Sequence, residues 1–217
     1  MKILFQGDSI TDGARLKDPA KAWDKNHQIG HSYAYIISGK LGYEKPLEYE
    51  FVNRGISGDS VRRLEARWTE DALDIDPDLL SILVGINGNG RNSQGTYSEE
   101  FDEKLRFFEE AYRRILARSL EKNPDLKIVI IEPFALPVGI FTTDYKSFYA
   151  KFAKIREAAQ RVAEDYGAVF VPMQDELDRL AAETGDPSLW LWDGAHPTER
   201  CHWLLANRWL EAAAHLL

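Results

Sequence analysis

Leu79-Leu80-Ser81-Ile82-Leu83-Val84 and Ile128-Val129-Ile130-Ile131 hold one polar side chain between them, and neither run alternates so as to leave one face wet. Strands of this kind are covered on both faces, as in the parallel sheet of an α/β protein. Weaker apolar runs at Ile3-Leu4-Phe5, Tyr49 to Val52 and Ala168 to Val171 complete a set of five expected strands. Residues at helical spacing fill the intervals. Val61, Leu64, Trp68 and Ile75 share a face, as do Phe101, Leu105, Phe108, Tyr112 and Ile115, and again Phe148, Phe152, Ile155, Ala159, Val162 and Tyr166. A last helix is expected after His196, with Pro197 in its first turn and Trp209 on its inner face. Strands alternating with helices predict right-handed crossovers and a three-layer α/β domain.

At 217 residues the chain suits one domain spanning 1–217, and neither an internal repeat nor a linker divides it. A formal charge of −8 argues against nucleic acid as a partner, because phosphates call for a basic face. No apolar run approaches the roughly 18 residues of a membrane span. Lys2 is followed by only three apolar residues before Gln6-Gly7-Asp8, unlike a secretory leader. The one cysteine, Cys201, cannot form an intrachain disulfide, and its spacing to Leu204, Leu205 and Trp209 predicts core packing. Together these features predict a cytoplasmic protein with no membrane partner.

Three irregular stretches follow expected strand ends: Thr11 to Gly30, Gly85 to Tyr97 and Pro133 to Tyr145. Loops at that edge of a sheet are where sites are built. The first strand breaks at Gly7-Asp8-Ser9-Ile10-Thr11, leaving a hydroxyl at the carboxyl edge. Far downstream, Asp193-Gly194-Ala195-His196-Pro197 supplies a carboxylate and an imidazole three residues apart. A serine hydroxyl is a weak nucleophile until a base takes its proton, and that base needs an acid to hold its tautomer. Ser9, His196 and Asp193 can fill those parts. Each also has a plain alternative: helix cap for Ser9 and Asp193, surface turn for His196.

Acyl transfer needs donors aimed at the oxygen that becomes negative. The main-chain amide of Ser9, the amide of Gly58 in Asn53-Arg54-Gly55-Ile56-Ser57-Gly58-Asp59, and the side-chain amide of Asn87 in Gly85-Ile86-Asn87 are the candidates. A helix-starting turn for Gly58 and an Asx turn for Asn87 are the competing readings.

In chain order these four blocks, Gly7 through Thr11, Asn53 through Gly58, Gly85-Ile86-Asn87 and Asp193 through Pro197, resemble the SGNH hydrolases, the GDSL-type esterase and lipase superfamily. The resemblance implies a flavodoxin-like α/β/α sandwich with a five-stranded parallel sheet. It also implies Ser9 as nucleophile, His196 as base, Asp193 as third triad member, and Ser9, Gly58 and Asn87 as the oxyanion hole, with neither metal nor organic cofactor. Asn53 through Leu64 with Ala66-Arg67-Trp68, together with Leu191-Trp192-Asp193 and His196-Pro197-Thr198, is most similar to acetylxylan esterase-type carbohydrate acetylesterases. That narrower likeness implies hydrolysis of acetyl esters on xylo-oligosaccharides or related sugars, and favours a homo-oligomer. One residue departs from the pattern: Gly88 stands where an aspartate usually follows the asparagine, and Asn89 or Asp59 is left to compensate.

Asp8, Arg54, Trp190 and Trp192 are the candidates for substrate contact, the indole faces suiting a sugar ring. Core packing competes for each tryptophan, including Trp23 elsewhere, and for Phe141; a surface salt bridge competes for Arg54. His27, His31, His202 and His215 have no spacing that closes a metal site, and no calcium loop is present. Two other functions stay open: a lipid or thioester hydrolase, and a degenerate hydrolase fold that only binds carbohydrate.

Overall fold

The computed structural model describes residues 1–21, 23–88, 99–142 and 145–217. Five strands, β1 (Lys2–Gly7), β2 (Glu50–Asn53), β3 (Leu79–Leu83), β4 (Lys127–Ile131) and β5 (Val169–Val171), form one sheet in the order β2-β1-β3-β4-β5. Every pairing is parallel. This is the flavodoxin-like order, and it reverses direction beside β1 and β3. Phe5 pairs with Ser81 and Gly7 with Leu83, so the turns leaving β1 and β3 emerge side by side at the carboxyl edge.

The apolar runs divide by parity, as both-face burial requires. Leu4, Leu80, Ile82, Ile128 and Ile130 face a layer containing α4 (Val61–Ala66), α5 (Phe101–Lys122) and α6 (Tyr145–Asp165). Ile3, Phe5, Leu79, Leu83, Val129 and Ile131 face the layer of α3 (Tyr33–Glu44), α7 (Gln174–Thr184) and α8 (Glu199–Ala213). The three-layer α/β/α sandwich follows. On α6 the buried positions Phe148, Phe152, Ile155, Ala159 and Val162 keep the spacing read from sequence, and each large side chain removed from water is worth about 1.5–3 kcal/mol. The polar ends of two buried tryptophans are satisfied inside the core: Trp209 Nε1 donates to Ser81 Oγ and Trp68 Nε1 to Ser119 Oγ, each at 2.9 Å. That explains the one polar residue in the β3 run.

Some expectations need correcting. Helices α3 and α7 were not apparent from the apolar spacing, and a short helix α1 (Ser9–Asp12) runs into the stretch from Thr11, which also holds α2 (Lys25–Gln28). Pro197 lies outside α8 rather than in its first turn: it forms a bridge with Leu191, and Thr198 caps the helix by accepting from the Cys201 amide. No helix among the described residues is long and apolar enough to cross a membrane.

Candidate active site

The residues after β1 turn at once into α1. Asp8 caps that helix, its Oδ1 accepting from the Ile10 amide at 3.0 Å, and Ser9 is the first helical residue. The Asp193–His196 turn arrives from the other end of the chain. Asp193 Oδ1 accepts from the amides of Ala195 (3.0 Å) and His196 (2.8 Å), which fixes the carboxylate relative to the imidazole three residues on in the same turn. Its Oδ2 lies 2.7 Å from His196 Nδ1, and His196 Nε2 lies 2.7 Å from Ser9 Oγ. The structure therefore brings Ser9, His196 and Asp193 into one hydrogen-bonded chain across 187 residues of sequence. Partial burial works against the Asp193 charge, but the two amides and the imidazole outweigh it and hold this carboxyl below the usual aspartate range. An acid so held stays ionised and favours a proton on Nδ1, leaving Nε2 to accept from the serine.

Gly194 is the reason the turn can sit so low. Its φ is +93°, and a Cβ there would come within 2.7 Å of the Leu136 and Val138 carbonyl oxygens. Leu136 in turn donates to the Gly194 carbonyl at 2.9 Å, so the segment after β4 buttresses the histidine turn. That segment is itself pinned by Gln174, whose buried amide exchanges hydrogen bonds with the main chain of Ala135. Phe134 and Phe141, from the same stretch, are core residues.

Among the described residues, no acceptor pairs with the main-chain N–H of Ser9 or of Gly58. Gly58 lies exposed in the turn after β2, with φ +80°. Asn87 is half-buried, and its Nδ2 is 3.4 Å from Asp8 Oδ2 and 3.3 Å from the Asp59 carbonyl. The loop carrying Gly58 is tied down by two residues that spacing did not single out. Asn53 donates to the Thr11 and Ile29 carbonyls and accepts from the Gly55 amide; Asp12 accepts from the Ser57 amide at 2.9 Å and from Lys17 Nζ at 2.5 Å. Their signal in the sequence was weak, because a buried asparagine or aspartate in a loop looks like any turn former.

The four candidates for substrate contact separate. Asp8 is 1 % exposed and its two oxygens face the Ile10 and Asn87 amides, so the expected contact is replaced by a buried structural role. Burial pushes its carboxyl up to about 7, against the pull of the Ile10 amide and the nearby His196. Trp190 is half-buried, packs on the core beside α8 and donates to Thr184 Oγ1: the packing reading. Arg54 stands 3.5 Å from Asp71 and lines a groove of about 790 Å³ along the open edge of β2, together with Arg15, Tyr35 and Phe51. Trp192 alone is both exposed (60 %) and against the site, stacked on the His196 ring at 5.5 Å and 20°. Trp23 is exposed.

Cys201 is buried and free, and burial pushes its thiol up to about 12, which leaves it inert. Its neighbour His202 accepts the Tyr33 amide on Nδ1 at 3.1 Å, and burial, with the charges of His31 and His196, lowers it to about 4. Among the described residues no group of three or more histidine, cysteine or acidic side chains converges as a metal site. Asn89 lies outside the described residues, as do parts of all three irregular stretches.

The sequence matches the GDSL-like Lipase/Acylhydrolase family over residues 5–204. It is 31 % identical over 211 residues to an acetylxylan esterase of Geobacillus stearothermophilus, covering 96 % of this chain and 92 % of that one. The solved structure of that organism's Axe2, an acetylxylan esterase, superposes with a TM-score of 0.75 at 30 % identity, over 97 % of this chain and 93 % of the other. Two further Axe2 structures are catalytic mutants, one at a serine and one at a histidine. A GDSL-like lipase-type protein of Parabacteroides merdae superposes with a TM-score of 0.84 at 32 % identity, over 98 % and 95 % of the two chains. A match across nearly the whole length, on a sheet of this order, makes the chain a member of the GDSL-like lipase/acylhydrolase family and a carboxylic ester hydrolase.

Proposed function

We propose that this enzyme removes acetyl groups from xylo-oligosaccharides or closely related acetylated carbohydrates through an acyl-enzyme on Ser9. Ser9 Oγ attacks the acetyl carbonyl while His196 Nε2 takes its proton. Asp193 holds the imidazole and stabilises the imidazolium. The amides of Ser9 and Gly58 and the side chain of Asn87 donate to the tetrahedral oxyanion. Its collapse expels the sugar oxygen, which receives the proton back from His196. Water, deprotonated by the same nitrogen, then adds to the acyl carbon; collapse breaks the bond to Ser9 Oγ, which takes that proton from His196, and acetate is released.

The observation that carries the reading is the pair of 2.7 Å contacts, Ser9 Oγ to His196 Nε2 and His196 Nδ1 to Asp193 Oδ2. Two donors without acceptors among the described residues, Ser9 N–H and Gly58 N–H, support the oxyanion assignment. The acetylxylan esterase likeness supports the substrate class, as does Trp192, whose exposed ring beside His196 offers a flat apolar face to a sugar. The single buried cysteine fits a cytoplasmic setting, and one packed sheet fits a single domain over 1–217.

Deacetylation of defined xylo-oligosaccharides, followed by NMR, is the test. Ser9→Ala lowers the rate by roughly 10³- to 10⁶-fold if the assignment holds. Near-normal turnover by that variant removes Ser9 as nucleophile. A strong preference for long acyl chains over acetate on the wild-type enzyme overturns the carbohydrate reading in favour of a lipid hydrolase.

A further inference from the structure

Asn87 enters the site from the turn after β3, and its side-chain nitrogen is backed by the Asp59 carbonyl at 3.3 Å and the Asp8 carboxylate at 3.4 Å. Both contacts are long for N–H···O bonds, and the nitrogen has only two hydrogens: to donate to an oxyanion it gives up the longer contact, to Asp8, so its aim depends on how firmly the Asp59 carbonyl is held. The next residue gives no help. Gly88 has φ +79°, and a Cβ there would lie 2.3 Å from Ser60 Cβ and 2.9 Å from Ser60 Oγ. The close fit of the turn after β3 against Ser60 leaves no room for a carboxylate at position 88.

The Asp59 carbonyl belongs to a residue fastened from both sides. Its amide donates to the Ile56 carbonyl. Its side chain, in a residue 3 % exposed, accepts from Arg67 Nε at 2.8 Å. The same guanidinium donates Nη1 to Asp71 Oδ2 at 2.9 Å, from the turn that follows α4. The Arg67 side chain is only 15 % exposed, so these charge-assisted bonds are shielded from water and directional, unlike a surface ion pair. Its remaining nitrogen, Nη2, is buried with no acceptor among the described residues. An apolar side chain would avoid that desolvation cost, so packing alone does not account for an arginine here.

We propose that Arg67 is a positioning residue for the oxyanion hole: by clamping Asp59 it fixes the carbonyl that aims the Asn87 amide. The inference rests on the reading of Asn87 as an oxyanion donor. Arg67 itself contacts no reacting atom.

The test is a double-mutant cycle on an acetyl ester. Asn87→Ala lowers kcat by about 10²-fold if Asn87 is a donor. Arg67→Met lowers kcat by roughly 10-fold with KM within about twofold, because misaiming a donor weakens transition-state rather than ground-state contacts. Arg67→Lys restores part of that loss. The double variant is no slower than Asn87→Ala alone, since the clamp has nothing left to aim. Losses that multiply, or a raised KM at unchanged kcat, overturn the proposal. Should Arg67→Met fail to fold, Asp59→Asn replaces it in the same cycle, because it weakens the clamp while keeping the main-chain carbonyl. If Asn87→Ala leaves kcat intact, the donor reading fails, and a loss in Arg67→Met then has another cause.

Discussion

Asp8 shows how a residue in a functional motif can be structural. It sits beside Ser9, yet its carboxyl is enclosed, and enclosure raises its proton affinity to about 7. A carboxyl near 3.8 in the unfolded chain and near 7 in the fold binds more protons when folded, so its contribution to stability is complete below pH 3.8 and is lost as pH rises through 7. Asp8→Asn should flatten that part of the stability profile, read as urea midpoints between pH 4 and 8; an unchanged slope would show that Asp8 is not the titrating group. Gly194 poses the opposite case, a residue whose lack of a side chain matters. Gly194→Ala forces a Cβ against the Leu136 and Val138 carbonyls at positive φ and should cost about 1–3 kcal/mol. Circular-dichroism melting measures it, and an unaltered midpoint would mean the turn can shift without penalty.

Elements are joined here by polar contacts as much as by apolar ones. His202 on α8 accepts the first amide of α3, a donor that a helix start leaves without an intrahelical partner. With its proton affinity lowered from 6.5 to about 4, this histidine is neutral in the fold. It therefore supports stability above pH 6.5, and that support is lost as pH falls through 4. His202→Phe should remove the acid-side slope while leaving the protein less stable at pH 7, because the Tyr33 amide loses its acceptor. Retention of the slope in denaturant titrations would assign it elsewhere. The tie between α8 and β3 through Trp209 and Ser81 is of the same kind: Trp209→Phe keeps the ring but leaves the serine without its donor, at about 1–3 kcal/mol by urea unfolding.

At the scale of the molecule, the site is made from turns after β1, β2 and β3 and from the turn before α8, so no single segment carries it. Loss of esterase activity in urea should then coincide with the loss of tryptophan fluorescence, given that Trp68 and Trp209 are buried on opposite faces of the sheet. Activity lost well before the fluorescence change would reveal local opening of the His196 turn instead.

The strands were legible because β3 and β4 are covered on both faces, and burial of that kind writes a continuous apolar run whatever the neighbours are. Helices α5 and α6 were legible for the matching reason, a broad inner face repeated over twenty residues. Helix α3 was not, since Gly39, Gly42 and its polar residues blur the period, and α7 buries only Gln174 and Leu177. The sequence alone offered Ser9, His196 and Asp193 as candidates, because a nucleophile, a base and an acid need particular side chain types. Only the tertiary structure decided which of their neighbours face solvent: it enclosed Asp8, left Trp192 open against His196, and filled the space beside Gly88 with Ser60. Those outcomes depend on contacts between segments far apart in the chain, and such contacts leave no local period or spacing to read.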